Sequence, residues 1–67
     1  MIQLNTIYFR ENKDHIDYAT PVAFAGNCIR FNCSYGNENY TSCEYLWLES
    51  EFLKVWTLCT ELNKALV

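Results

Sequence analysis

Residues 41–66 read TSCEYLWLESEFLKVWTLCTELNKAL, a stretch with neither Gly nor Pro. Its apolar residues Tyr45, Leu48, Phe52, Val55, Cys59, Leu62 and Leu66 recur in steps of three and four, the spacing of one helix face. Thr41-Ser42-Cys43-Glu44 has the form of a capping box, in which Thr41 would cap a backbone N–H and Glu44 would reach back. Glu44 in a first turn and Lys64 in a last turn would both suit the helix dipole. The spacing predicts one helix over about 42–66, roughly 37 Å long at about 1.5 Å per residue. A competing reading makes residues 40–48 a strand, because Tyr40, Tyr45 and Trp47 favour that conformation. Ser50 would then cap a shorter helix.

Upstream of this stretch the period is two. Ile2, Thr6, Ile7, Tyr8 and Phe9 predict a first strand over about 2–10. Glu11-Asn12-Lys13-Asp14-His15 holds no aliphatic residue and reads as a turn. A second strand is expected over 16–25, with Ile16, Tyr18, Thr20, Val22 and Phe24 on one face and Asp17, Ala19, Pro21 and Ala23 on the other. Pro21 cannot donate to a ladder and places this strand at an edge or marks a bulge. Gly26-Asn27 between alternating runs signals a hairpin. A third strand follows over 28–35, and Gly36-Asn37-Glu38-Asn39 reads as the next turn. The expected class is α+β: one domain, residues 1–67, with a small antiparallel meander of three strands, four on the competing reading. One long C-terminal helix would pack on one face.

Such a helix carries more apolar surface than one small sheet covers. Leu46 and Leu53 fall on one flank of the stripe, and Trp47 and Leu58 on the other. Left in water, these four would form the kind of surface that marks an association site, and Trp is enriched at binding hot spots. Leu46, Trp47, Leu53 and Leu58 are therefore the candidate protein interface. Glu11, Asp14 and Asp17 form the densest acidic cluster of the first half and its candidate acidic rim.

Composition narrows the function classes. The chain has 67 residues, 51% of them hydrophobic, and a net charge of −3. No run of about 18 uncharged apolar residues exists to span a membrane as a helix. The first residues, Met1-Ile2-Gln3-Leu4-Asn5-Thr6, do not resemble a secretory signal, and Met1 suggests a complete reading frame. Cytoplasmic residence is the expectation. Arg10, Lys13, Arg30, Lys54 and Lys64 are scattered, so they offer no stripe for phosphates, and direct nucleic-acid binding is not expected. Cys28, Cys33, Cys43 and Cys59 contain no C-x2-C pair. Four free thiols and no metal are expected, although His15 with Cys28, Cys33 and Cys43 would be the residues of a metal or redox module. One His, two Gly and no phosphate loop give no catalytic constellation and imply no cofactor, so the chain is not expected to be an enzyme.

The expectation is a small acidic protein-binding protein, an inhibitor or modulator that occludes a surface of a larger host protein. A basic, nucleic-acid-handling surface would complement its charge. Stand-alone chains of this kind often belong to viruses or mobile elements, which is a prior about protein types and not a property of these residues. The alternative is a structural homodimer packed through the C-terminal helix. A Cys/His metal or redox module comes third.

Overall fold

A computed structural model describes residues 1–35 and 43–65. The elements run β1 (Tyr8–Glu11), β2 (Ile16–Ala25), β3 (Cys28–Tyr35), β4 (Cys43–Leu48), α1 (Glu49–Val55), β5 (Thr57–Leu58) and α2 (Thr60–Ala65). Five strands among the described residues make one sheet in the order β4-β3-β2-β1-β5, antiparallel at every pairing. The fold is mostly β. The single helix expected over 42–66 does not form, and the α+β class is corrected accordingly.

The reason lies in two short runs. Cys43, Tyr45 and Trp47 alternate with Glu44, Leu46 and Leu48, and β4 pairs that alternation in register with β3: Tyr45 opposite Phe31, Trp47 opposite Ile29. Period two and two aromatics favour the strand, as the competing reading held. The helix that follows is only seven residues long. It ends at Val55-Trp56-Thr57, where a bulky aromatic and two β-branched residues favour extended backbone. Trp56 is extended at φ −107°, ψ 135°, and Thr57 and Leu58 then pair with Phe9 and Tyr8. The three-four stripe is thus a coincidence: its described residues are spread over β4 (Tyr45, Leu48), α1 (Phe52, Val55), the residue after β5 (Cys59) and α2 (Leu62). Glu44 lies in β4 opposite Asn32, so it caps no helix. Thr41, the turn at residues 36–39 and Leu66 lie outside the described residues. Ser50 sits within α1, whose N-cap is Leu48 with no side-chain cap.

The first strand is shorter than expected. β1 begins at Tyr8, and the chain before it turns at Leu4 and Asn5. Asn5 takes a positive φ of 58° and donates its N–H to the Pro21 carbonyl at 2.8 Å. This hooks Ile2 into the core, where it is buried.

The β2–β3 hairpin matches its signals. Ala25 and Cys28 pair across Gly26-Asn27, and Gly26 holds the positive φ, 63°, that a two-residue hairpin turn asks of its first position. Pro21 marks a register shift between Pro21 and Ala23, the bulge it foretold. The buried face of β2 is nevertheless the one with small residues and a carboxylate: Asp17, Ala19 and Pro21. They make room for large neighbours. Phe31 stands at the centre, with ring centroids of Phe52 at 4.9 Å, Trp47 at 5.3 Å, Tyr45 at 5.8 Å and Trp56 at 5.9 Å. The pairs with Phe52, Trp47 and Trp56 are edge-to-face, an arrangement favourable beyond the area it buries. α1 supplies Phe52, and Trp56 follows it, so α1 and the N-terminal hook cover this one face. No described helix is long and apolar enough to cross a membrane.

Candidate functional site on the open face of the sheet

The second face of the sheet follows from the register. Phe9 lies opposite Tyr18, Glu11 opposite Ile16, Arg30 opposite Leu46, and Cys28 opposite Leu48. These side chains point away from the core because strand neighbours alternate. Among the described elements only α2 flanks this face. Ile16, Leu46 and Leu48 remain 40%, 58% and 46% exposed.

At the β1 side the face deepens into a groove of about 680 Å³. Phe9, Ile16 and Tyr18 form its floor, and Leu58 through Leu62 form its wall. The Asn63 side chain and one backbone bond hold the wall. Asn63 Oδ1 accepts the Ile7 N–H at 2.8 Å, and its Nδ2 donates to the carbonyls of Ile7 at 3.0 Å and Cys59 at 2.8 Å. The Cys59 N–H also donates to the Ile7 carbonyl at 2.9 Å. A six-residue helix does not hold itself, so these bonds fix where Glu61 and Leu62 stand. Glu61 in the wall and Glu11 beside Ile16 give the groove an acidic character.

The candidate interface residues do not converge. Leu46 is exposed on the open face, whereas Leu53, 48% exposed, lies on α1 over the covered face. Trp47 packs half-buried on Phe31 and Trp56 at the margin of the core. Leu58 lies opposite Tyr8 and also packs on the core. Of the acidic rim, Glu11 and Asp14 are exposed, while Asp17 is fully buried. Arg10 Nε donates to Asp17 Oδ2 at 3.0 Å, Asn12 Nδ2 donates to the same oxygen, and His15 Nε2 lies 3.2 Å from Oδ1. This cluster ties the β1–β2 turn together.

His15 therefore stands beside Asp17 and not among cysteines. Cys28 lies on the open face and Cys33 on the covered one. Among the described residues no group of three or more His, Cys, Asp or Glu side chains is placed to hold a metal.

No motif in the sequence marks the groove residues Phe9, Ile16, Tyr18, Glu61 and Leu62 as a site. The alternation did put Ile16 and Tyr18 on one face, but it gave no sign that the bulkier face of β2 would be the open one. Comparison with protein-family models, curated proteins and solved structures gave no match.

Proposed function

We propose that the protein is a binding module whose open sheet face receives a segment of another protein, with the groove over Phe9, Ile16 and Tyr18 as its anchor point. The carrying observation is that groove: apolar at its floor, acidic at its margin, and left uncovered by the helix that seals the opposite face. The partner chemistry that fits is an apolar or aromatic side chain next to Lys or Arg. Binding of that kind would occlude a basic surface on a larger protein, the action of an inhibitor or modulator. The net charge of −3 supports a basic partner over an acidic one.

The test uses the full chain labelled for heteronuclear NMR. It is titrated with amphipathic peptides carrying an aromatic anchor beside lysines, and with matched peptides in which glutamates replace the lysines. The lysine peptides are expected to shift the amides of Phe9, Ile16, Tyr18 and Leu62, and Ile16→Lys is expected to remove the effect. Equal response to the glutamate peptides, or shifts confined to α1, would refute the reading. A doubled sedimentation mass that buries those same amides would replace it with self-association.

A further inference from the structure

Cys33 and Cys43 face each other directly across the β3–β4 ladder. Opposed residues of antiparallel strands project to the same face with Cα atoms about 4.5 or 5.5 Å apart. Both spacings fall within the range of about 4.4–6.8 Å that a disulfide spans. The two thiols differ in access: Cys33 is buried on the core face and Cys43 is exposed. The other cysteines are placed elsewhere. Cys28 is an odd number of positions from Cys33 on the same strand, so it projects from the opposite face. Cys59 follows β5, at the far edge of the sheet from β4.

We propose that Cys33 and Cys43 form a dithiol site whose co-reactant is a low-molecular-weight disulfide. This inference does not rest on the binding reading. The exposed Cys43 is the entry point. Its thiol gives a proton to solvent, and the thiolate attacks one sulfur of the small disulfide. That S–S bond breaks, a mixed disulfide forms on Cys43, and the departing thiolate takes up a proton. Cys33 then loses its proton and attacks the Cys43 sulfur. The mixed disulfide breaks, the second small thiolate leaves and is protonated, and the Cys33–Cys43 bond remains. Two cysteine thiols are oxidised and one small disulfide is reduced to two thiols. The order is fixed by access, because Cys33 is too buried for a small disulfide to reach first. The new bond pins the outer strand β4 to β3 and lowers the conformational entropy of the denatured state, which stabilises the fold.

The experiment incubates the full chain with graded mixtures of oxidised and reduced glutathione. Remaining thiols are alkylated, and a non-reducing digest is read by mass spectrometry beside a thermal melt. The expected product carries one Cys33–Cys43 disulfide with Cys28 and Cys59 alkylated, and it melts higher than the reduced protein. Cys43→Ser should abolish both effects while melting like the reduced parent. Cys28→Ser and Cys59→Ser should retain both. A mixed disulfide that stays on Cys43, a bond that includes Cys28 or Cys59, or four thiols persisting in excess oxidised glutathione would each overturn the proposal.

Discussion

Arg10 uses both parts of its head group. Its Nε donates to Asp17 at 3.0 Å, and its guanidinium carbon lies 4.6 Å from the centre of the Trp56 ring. It therefore satisfies a buried carboxylate and covers a core aromatic at once, a role for which Arg is better shaped than Lys. The two partners are unequal in burial: the Arg10 side chain is 29% exposed and the Asp17 side chain 1%. That asymmetry predicts an order of effects. Arg10→Ala leaves a buried carboxylate short of its cation and should cost about 1–3 kcal/mol. Asp17→Ala removes the buried charge and leaves an Arg that can turn to water, so it should cost less. The double variant should be no less stable than Arg10→Ala alone, since the stranded carboxylate is gone. Urea denaturation of the three variants and the parent checks this. If Asp17→Ala is the most damaging, the carboxylate is held chiefly by Asn12 and His15, and the Arg10 account fails.

At the scale of elements, α2 depends on the Asn63 side chain more than on its own backbone hydrogen bonds. Asn63→Ala removes an acceptor for the Ile7 N–H and donors to two carbonyls. The expected cost is about 1–2 kcal/mol overall. The sharper readout is local: hydrogen exchange over residues 60–65 should rise toward that of an unfolded segment while β2 and β3 stay protected. Unchanged protection in α2 would mean that Leu58 and Leu62 hold it without the amide. The elements also show what the sequence made legible. The β2–β3 hairpin, its Gly26-Asn27 turn and the bulge at Pro21 follow from local chemistry, because turn residues and strict alternation act within a few residues. The C-terminal half was ambiguous for a physical reason. Tyr45, Phe52 and Trp56 face one core from a strand, a helix and the extended residue after it, and their spacing mimics a longer helix. The groove was legible only in part. The alternation puts Ile16 and Tyr18 on one face, but which face of β2 is covered depends on where Phe31, Phe52 and Trp56 need space, and that is settled by residues distant in sequence.

For the whole molecule, charge and core size set separate limits. Of five basic residues, Arg10, Arg30 and Lys54 lie against Asp17, Glu44 and Glu51 at 3.0, 3.6 and 3.3 Å. Little cationic surface is left to displace counterions from a phosphate backbone. Random-sequence duplex or single-stranded DNA should give no salt-sensitive gel shift at micromolar protein, and a shift lost on raising salt would contradict this. Core size matters more for testing the open face. A chain of this length has a total stability of only about 3–5 kcal/mol, and its aromatic cluster centres on Phe31, which is fully buried. Phe31→Ala should cost about 3–5 kcal/mol and leave the protein largely unfolded. Ile16→Lys and Leu48→Gln alter partly exposed side chains on the uncovered face, and should each move stability by roughly 0.5 kcal/mol either way. Thermal melts of the three variants decide between two accounts of that face. Melting near the parent temperature by the two face variants, with loss of the folded signal in Phe31→Ala, makes the open face dispensable for folding and available to a partner. If Ile16→Lys and Leu48→Gln unfold like Phe31→Ala, the face is covered in solution, and folding is tied to whatever covers it. A second copy would then reveal itself by a melting temperature that rises with protein concentration, because only self-association makes stability depend on how much chain is present.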